Sequence, residues 1–261
     1  MFSPSEAVRL GTPLAEGVLE RNGLAFGLDA PLHPVMRTMR AMRRLDPDPV
    51  PVELLDKLVE AASWAPSGGN AQAYSWLVIT DRAAIESLAP LWAKVFGLYR
   101  DTFAHLPSST MQPDQSERLN RAVEYQAEHF AQTPTLIVAC YDTSFQRKSL
   151  LAAWRTILGA VVALGWRNAL GFLRHAKRFA DMNEAASVYP GVQNLLLTAR
   201  ALGLGATITT MHLALEDQFK QALGIPRHVK TFALVPVGWP RGKFGPVRRR
   251  PIEEAIHRDR W

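Results

Sequence analysis

The sequence predicts an α+β fold in which helices surround a central sheet. Apolar residues make up 48% and charged residues 21% of the 261 residues, which is usual for a globular protein. Helical patterns outnumber strand patterns along the chain, and the two do not alternate strictly. Strict alternation is typical of doubly wound folds, so an α+β arrangement is favoured. A chain of this length buries roughly 70 to 75% of its unfolded surface and needs no disulfide or metal to fold.

The first core elements are a helix and a strand that are separated by a polar turn. A helix is predicted from about Glu53, because apolar residues recur on one face. We expect it to stop at Pro66. The apolar face consists of Leu54, Leu55, Leu58, Val59 and Ala62. Residues 75–80, SWLVIT, follow as a strand.

The later elements alternate irregularly. A helix over residues 117–132 leads into a buried strand, TLIVACYD, at 135–142. An Ala/Leu/Trp-rich helical region follows, from 148 to about 180. Pro190 predicts the start of the next helix, because proline suits the first helical turn, and glycines 203 and 205 predict its end. The remaining predicted elements are a short segment at 206–210, a helix at 215–224 and a strand at 230–239.

The chain is predicted to be one domain with two additions. No repeat or flexible linker divides it, so residues 35–261 are interpreted as a single domain, with an N-terminal extension at 1–34 and an insertion around 143–183. Cys140 is the one cysteine and lies in an apolar run, which excludes an internal disulfide framework and favours a reducing compartment. The first 23 residues lack a continuous apolar run, which argues against a signal peptide. We therefore expect a cytoplasmic protein.

Neither a membrane nor a nucleic acid is an expected partner. The most hydrophobic stretch, residues 150–173, is interrupted by Arg155 and Arg167, which leaves eleven residues between charges, whereas a spanning helix needs about 20. A helix packed at a subunit interface or over a ligand is favoured over attachment to a membrane surface. The formal charge is +6, of which seven Lys/Arg minus three Asp/Glu, or +4, lies in residues 238–261. No recognition helix or aromatic RNA-binding motif accompanies this basic tail.

Familiar catalytic motifs are missing from the sequence. Gly203-Leu204-Gly205 lacks the third glycine of a dinucleotide-binding fingerprint and ends a helix instead of opening one. The GWPRGKF stretch is too short for a P-loop. The seven histidines include no pair within five residues, so no metal site is expected. Ser67 has no nucleophile-elbow context.

Three segments nevertheless carry candidate binding residues. Arg37, Arg40 and Arg44 share one face at helical spacing, with Arg43 beside them, although a solvated face is an alternative. The PSGGNAQ turn at 66–72 combines small polar residues with glycines, although it could serve only to end a helix. The basic tail at 242–261 contains regularly spaced apolar residues, which argue against a purely disordered end.

Together these segments resemble the nitroreductase family of FMN-dependent oxidoreductases. The resemblance covers residues 35–100 and 186–261, and it includes the VQNLLLTARALGLGA helix. It implies a central mixed or antiparallel sheet surrounded by helices. It also implies a homodimer with a domain-swapped tail, in which the two flavins lie in the subunit interface.

The resemblance assigns the arginines to the flavin. The family motif R-R-S-x-R matches Met39, Arg40, Ala41, Met42 and Arg43 in order. Arg40 would then pair with the phosphate and Arg43 with the pyrimidine edge of the ring. The sequence departs from the motif at Met39 and Ala41, which leaves open whether FMN binding is weaker. One or two of the tail arginines would also contact the phosphate, with Arg249 preferred among Arg248, Arg249 and Arg250, because a guanidinium fork suits a phosphate dianion.

The same resemblance brings in a second chain. Pro66, Ser67, Gly68 and Asn70 would come from the partner subunit and line the ring edge and ribityl chain, with Gln72 just behind. Glycines let a backbone approach a flat ring closely, and Ser and Asn offer short hydrogen-bonding groups. The segment with Thr207 and Ile208 would lie against the isoalloxazine, with a backbone N–H facing N5.

The implied reaction is a ping-pong hydride transfer. NAD(P)H would reduce FMN, and a nitroaromatic, quinone or similar planar acceptor would then collect the electrons. Because the cofactor carries the chemistry, no catalytic triad or paired carboxylates are required. We expect substrate choice to lie in residues 96–115 and 143–183, where aromatic and basic residues suit a lid, although dimer packing would use the same residues.

Two alternatives remain. One is a specialised flavoprotein of the same fold, such as a dehydrogenase or oxidase of one metabolite or an enzyme that consumes its flavin. The other is a flavin-less relative that acts as a structural or regulatory partner, which the departures at Met39 and Ala41 motivate.

Overall fold

A computed structural model describes residues 26–103, 106, 112–144, 148 and 151–261. Most of the predicted N-terminal extension, residues 1–25, lies outside the described residues, as do parts of the two segments expected to choose the substrate. The division into an extension, a domain and an insertion stays a prediction.

The centre of the molecule is a four-stranded antiparallel sheet. Its strands are β1 (Tyr74–Ile79), β2 (Thr135–Asp142), β3 (Gly205–Ala206) and β4 (Val229–Gly238). Their order across the sheet is β1-β2-β4-β3, and every neighbouring pair runs antiparallel. The predicted α+β class is therefore confirmed, and the sheet is antiparallel throughout these four strands.

Helices surround this sheet. They are α1 (Leu32–Thr38), α2 (Val52–Ser63), α3 (Arg82–Thr102), α4 (Pro113–Glu128), α5 (Trp154–Ala163), α6 (Trp166–Ala201) and α7 (Glu216–Ala222). Short 3-10 turns occur at Gly68–Asn70, Phe130–Gln132, Met211–Leu215 and Ile252–Glu254. The predicted helix from Glu53 corresponds to α2, which ends three residues before Pro66.

The core has two layers because β2 is covered on both faces. Alternate side chains of a strand point to opposite faces, so Ile137 and Ala139 join α2 and α6 on one side. Leu136, Val138 and Cys140 join α3, Phe130 and Phe219 on the other. Each fully buried aliphatic side chain contributes roughly 1.5 to 3 kcal/mol. Burial also raises the pKa of the Cys140 thiol to about 11, which agrees with its predicted place in the core.

The prediction that Arg37, Arg40 and Arg44 share one face of a helix is wrong. Helix α1 ends at Thr38, and Met39 is already extended, with φ −71° and ψ 113°. Residues 39–45 instead follow the edge of the sheet, where the Met42 N–H donates to the Ala206 carbonyl at 3.0 Å. Backbone bonds to β3 and to the tail replace the helical bonds that the arginine spacing suggested.

The predicted helix start at Pro190 is also wrong, because Pro190 lies inside α6. Proline lacks the N–H that would bond to the carbonyl of Ala186. The helix continues because Val188, Val192 and Leu195, on both sides of the proline, are buried in the core. Tertiary packing therefore outweighs the local cost of the proline.

A helical hairpin extends from this body. We call α5 and residues 164–183 the arm; its described residues include no fully buried side chain, and the buried residues of α6 begin at Glu184. The 18 arm residues of α6 span about 27 Å at 1.5 Å per residue. Exposed aromatic residues occur along the arm, with Trp154 at 55% and Trp166 at 73% exposure. Within the described part of the chain, no helix is both long and apolar enough to span a bilayer.

Candidate active site

The arginine segment, β3 and the C-terminal tail meet at one edge of the sheet. The Arg241 N–H donates to the Arg44 carbonyl at 2.9 Å, and the Val247 N–H donates to the Arg37 carbonyl at 2.8 Å. On the other side, the same segment is bonded to β3 through Met42 and Ala206. The structure thus brings together three segments that are far apart in the sequence.

Gly205 explains how the arginine segment comes so close to β3. A Cβ at this position would lie 2.8 Å from Leu45 Cδ2 and 3.1 Å from both Met42 Cβ and Pro240 Cβ. Such contacts are too short for an ordinary side chain, so glycine permits the approach. The glycine that ends the Gly203-Leu204-Gly205 run therefore has a packing role here.

Arg40 lies on the exposed side of this junction. Its guanidinium approaches Gly245 of the tail, where an added Cβ would lie 3.8 Å from Nη1. Ala41 is exposed next to it. Arg248 and Arg249 are also exposed and directly follow Val247, which places their backbones within about 8 Å of the Arg37 contact. The structure brings Arg40 and these tail arginines to one region.

Arg43 points into a small cavity. The cavity is lined by Arg43, Leu45, Tyr125, Gln126, His129, Gln132, Thr133 and Pro236. Burial lowers the pKa of the Arg43 guanidinium, while the Tyr99 phenol acts in the opposite direction. Among the described residues, no carboxylate forms an ion pair with Arg43. A cation that has lost water without gaining an acidic partner is costly, so this cavity of about 10 Å³ suits a single oxygen acceptor, such as a water molecule or one carbonyl oxygen.

Gln126 adds a second unused donor to this cavity. Its side-chain Nε2 is buried and has no hydrogen-bond partner among the described residues. Buried polar groups are usually satisfied, and an unsatisfied donor commonly marks a ligand or water position.

His129 completes this group. Its Nδ1 lies 2.9 Å from the Tyr125 carbonyl, and its ring stacks on that of Tyr125 at 3.9 Å between centroids. Tyr125, Gln126 and His129 were not among the site residues predicted from the sequence. Their polar cluster at the end of an amphipathic helix, directly before a buried strand, was the available signal.

Thr207 and Ile208, the two residues predicted to contact the ring, differ in hydrogen bonding and in exposure. The N–H groups of Thr207 and Thr209 donate to the carbonyls of Pro236 at 3.4 Å and Leu234 at 2.9 Å. Because extended backbone alternates its hydrogen-bonding direction, the Ile208 N–H faces away from β4. Ile208 is 38% exposed, whereas Thr207 is buried and its hydroxyl has no partner among the described residues. The structure therefore offers the Ile208 amide to a ligand and uses the Thr207 amide internally.

The polar turn forms a separate cluster. The Gln72 N–H donates to Ser67 Oγ at 3.0 Å, and Gln72 Nε2 donates to Asn70 Oδ1 at 3.1 Å. Asn70 and Gln72 have φ of 53° and 48°, in the left-handed region that non-glycine residues rarely adopt. These side-chain bonds hold the unusual backbone in place. Pro66, Gly68 and Asn70 are exposed, and Ser67 is half-buried.

The polar turn and the arginine segment contact α6 at different points. The Gly68 N–H donates to Ser187 Oγ at 3.0 Å. Near the other end of the helix, Arg200 Nε donates to Thr38 Oγ1 at 2.9 Å. Ser187 and Arg200 are 13 positions apart, which corresponds to about 20 Å along the helix axis. Within one chain, the two groups of candidate residues are therefore anchored well apart.

An open cleft of about 970 Å³ lies at the base of the arm. Its lining includes Met182, Tyr189, Leu213 and Phe232, which are apolar or aromatic. Lys230 Nζ bridges Glu184 at 2.7 Å and Asp181 at 3.1 Å along one side. Leu213 lies five residues after Ile208, so the cleft begins close to the segment that offers its amide. Over the described residues, no cluster of three or more metal-ligating side chains occurs.

A model described as "Nitroreductase family" matches residues 36–239. A curated relative from Methanothermobacter thermautotrophicus, named "Putative NADH dehydrogenase/NAD(P)H nitroreductase", is 24% identical over 229 residues, which cover 87% of this chain and 85% of the relative. Iodotyrosine deiodinase 1 from Rattus norvegicus is 23% identical over 224 residues, which cover 83% of this chain and 65% of the relative.

Solved structures show the same fold. A crystal structure of oxidised iodotyrosine deiodinase bound to FMN and 3-iodo-L-tyrosine has a TM-score of 0.58 and 18% identity, covering 88% of this chain and 100% of the other. A putative NADH dehydrogenase/NAD(P)H nitroreductase from Parabacteroides distasonis has a TM-score of 0.54 and 22% identity, covering 88% and 98% of the two chains.

Proposed function

This chain belongs to the nitroreductase family, and we propose that it is a homodimeric, FMN-dependent oxidoreductase that uses NAD(P)H to reduce nitroaromatic, quinone or similar planar acceptors. The family match and the FMN-bound structural neighbour support an oxidoreductase with a flavin cofactor. The name of the Methanothermobacter relative supports NAD(P)H as the electron donor.

The observation that carries the proposal is the cavity around Arg43. Arg43 lacks a carboxylate partner among the described residues, and Gln126 presents an unused donor beside it. The pyrimidine edge of a flavin carries carbonyl oxygens that accept such bonds, and negative charge collects there on reduction. The donors of Arg43 and Gln126 therefore suit this edge of the ring chemically, and the cavity of about 10 Å³ between them has room for one of its carbonyl oxygens. Bound FMN would supply the reversible uptake and release of hydride.

The chain's own residues position and tune that group. Arg40, together with Arg248 or Arg249, would hold the phosphate through charged forks. The Ile208 amide, which faces away from β4, would donate to the ring at N5. Arg43 would stabilise negative charge at the pyrimidine edge, which favours the reduced form. None of these roles requires a side chain that makes or breaks a bond.

A second copy of the chain is needed for the polar turn to take part. Pro66, Ser67, Gly68 and Asn70, with Gln72 behind them, are anchored about 20 Å along α6 from the arginine segment. In a homodimer the partner's turn would meet this chain's arginine segment. The arm, whose large apolar side chains are exposed in the single chain, supports such an association, because contiguous exposed apolar surface marks interaction sites.

A specialised activity is the second candidate. The likeness to iodotyrosine deiodinases over more than 80% of this chain favours it, and so does the aromatic cleft at the base of the arm. In that case one aromatic metabolite, and not a range of planar acceptors, would occupy the cleft.

The purified protein's visible spectrum and an FMN titration test the cofactor. Oxidation of NADH and NADPH is then measured with a nitroaromatic and a quinone acceptor. We expect a yellow protein and steady turnover with at least one acceptor. Bound FMN without such turnover would favour the specialised enzyme. A colourless protein that takes up no FMN would overturn the catalytic proposal and favour a structural role.

A further inference from the structure

We propose that Arg200 is a positioning residue for the cofactor phosphate: through its contact with the Phe244 ring, it fixes the tail in the register from which Arg248 and Arg249 reach that phosphate. The inference rests on the proposed function, because it requires FMN at the arginine segment. It assigns a role to a buried cation on α6 and to Phe26, which lies in the predicted N-terminal extension.

Arg200 lies in the last turn of α6, with its side chain packed against two aromatic rings. Its Cζ is 4.5 Å from the centre of the Phe26 ring and 4.0 Å from the centre of the Phe244 ring. Only 5% of the residue is exposed. A guanidinium attracts the face of an aromatic ring within about 6 Å, and more strongly where water is excluded. Arg200 therefore holds both rings to the end of α6.

The same side chain joins three segments that are far apart in the sequence. Arg200 Nε donates to Thr38 Oγ1 at 2.9 Å, and Thr38 is the last residue of α1, directly before the arginine segment. Phe26 comes from the N-terminal segment, where its N–H donates to the Ala201 carbonyl at 2.7 Å. Phe244 comes from the tail. Arg200 thus connects the N-terminal segment, the end of α1 and the tail.

Two attachments set the register of the tail against the arginine segment. The first is the contact between Phe244 and Arg200. The second follows three residues later, where the Val247 N–H donates to the Arg37 carbonyl at 2.8 Å. Because so few residues separate the two points, the tail cannot slide along the arginine segment without breaking one of them.

The attached stretch leads directly to the proposed phosphate ligands. Gly245 lies beside Arg40, since an added Cβ would be 3.8 Å from Arg40 Nη1. Arg248 and Arg249 come within four residues of Gly245 and are exposed. Release of Phe244 would leave the backbone before these arginines with one attachment instead of two. Their guanidinium groups would then be less well placed for the phosphate that Arg40 contacts.

Arg200 does not itself act as a phosphate ligand in this arrangement. It is buried, and its guanidinium contacts two rings and Thr38. Burial lowers the pKa of the guanidinium, although an arginine stays charged at neutral pH. Because a buried charge also acts on a phosphate at a distance, the test must release the tail without removing that charge. Replacement of Phe244 does so.

The experiment measures the affinity of the full-length protein for FMN and for riboflavin, which lacks the phosphate, by quenching of flavin fluorescence. The ratio of the two affinities reports on the phosphate alone. Phe244→Leu keeps an apolar side chain but removes the ring, and we expect it to lower this ratio about tenfold, as for the loss of one charged hydrogen bond. Riboflavin affinity should stay at the wild-type value.

Phe179→Leu, at an exposed phenylalanine of the arm, is the matched control and should keep the wild-type ratio. A Phe244→Leu protein in which both affinities are unchanged, or fall by the same factor, would overturn the proposal, because Phe244 would then serve the fold and not the phosphate.

A double variant tests whether Phe244 and Arg200 act together. Arg200→Met removes both the charge and the contact with the ring, so Phe244→Leu should lower the ratio no further once Arg200 is replaced. Residues in contact commonly show such coupling, whereas independent residues have additive effects on the free energy. Additive effects in the double variant would contradict the proposal.

Trypsin cleavage after Arg248 and Arg249 provides a second measure, which covers the case in which Arg200→Met does not fold. In the flavin-free protein, we expect faster cleavage at these sites in Phe244→Leu than in the wild type. Equal rates would contradict a role of Arg200 in holding the tail.

The wild type separates the two levels of inference. If it binds neither flavin, the proposed function fails together with this role. If it prefers FMN and Phe244→Leu keeps that preference, only the role of Arg200 fails.

Discussion

The side chains of Arg43 and Gln126 line the same cavity, although they are 83 positions apart in the sequence. Arg43 comes from the segment that follows α1, and Gln126 comes from the last turn of α4. Both present donors to the cavity, and neither is paired with a carboxylate among the described residues. The two donors therefore share one small site, of about 10 Å³, that has room for a single oxygen acceptor.

Replacing Arg43 tests its tuning role. Arg43→Ala should lower the flavin potential by about 30 mV if the guanidinium favours the reduced form by about 1.4 kcal/mol. Turnover should fall as well, because the oxidised state is then favoured. Arg43→Lys, which keeps the charge, is the control. Its flavin potential and turnover should lie between those of the wild type and those of Arg43→Ala. Potential and turnover that both stay at wild-type values in Arg43→Ala would remove the role assigned to this residue.

Replacing Gln126 should change the stability of the protein and its affinity for FMN in opposite directions. Gln126→Met removes a buried donor that has no partner, so the protein without FMN should become more stable, by about 1 kcal/mol. The same change removes a donor to the ring, and FMN affinity should fall about tenfold, or 1.4 kcal/mol. Urea unfolding and FMN titration measure the two effects.

Gln132→Met is the matched control for that test, since Gln132 lines the same cavity but is exposed. We expect little change in either quantity. A loss of stability in Gln126→Met, or an unchanged affinity for FMN, would contradict the interpretation of Gln126.

Gly205→Ala should separate the arginine segment from β3. The added Cβ would meet Leu45 Cδ2 at 2.8 Å, and such overpacking costs about 1 to 3 kcal/mol. Because the displaced segment carries Arg40 and Arg43, FMN affinity should fall together with stability. Gly97→Ala is the control, because nothing lies within 4 Å of its added Cβ and alanine is the better helix former. If Gly205→Ala and Gly97→Ala have the same stability and FMN affinity, the close approach of the arginine segment to β3 has no consequence for the site.

Stability should fall in mild acid because of His212. This residue is fully buried, and burial lowers its pKa from 6.5 to about 4. The unfolded chain therefore binds more protons than the folded chain between these values, and stability is lost as pH falls from about 6.5 to about 4. The expected loss is about 3 kcal/mol, from a difference of about 2.5 pKa units at 1.36 kcal/mol each.

Hydrogen bonds fix the neutral form of His212. Thr231 Oγ1 donates to Glu216 Oε1 at 3.0 Å, so the Nε2–H of His212, 3.1 Å away, donates to Thr231. Nδ1 has no partner among the described residues. Urea unfolding of FMN-free His212→Gln should show a weaker dependence on pH over this range than the wild type, and His175→Gln should not. An equal loss of stability in wild type and His212→Gln would assign the acid sensitivity to other groups.

Local sequence patterns predicted most of the core helices and strands, but not the tertiary contacts that bring distant segments together at the site. The strand at 135–142 was predicted with the observed bounds because both of its faces are buried, which leaves an unbroken apolar run. The arginine helix and the helix start at Pro190 were wrong, because backbone pairing with Ala206 and burial around the proline outweighed local preference. Arg40 and Arg43 were selected through a family motif. Tyr125, Gln126 and His129 were missed because only the packing of α4 against the 39–45 segment brings them to Arg43.

The central claim, that each flavin site draws residues from two chains, is tested most directly by mixing two defective variants. Arg40→Glu damages the arginine side of the site, and Gly68→Trp blocks the polar turn, so each variant alone should bind FMN poorly. In a mixed dimer one site carries both defects and the other carries none. After the two variants are unfolded and refolded together, we expect FMN binding to return, with half of the sites in each mixed dimer filled. A mixture that forms dimers but binds no more FMN than the separate variants would contradict the account.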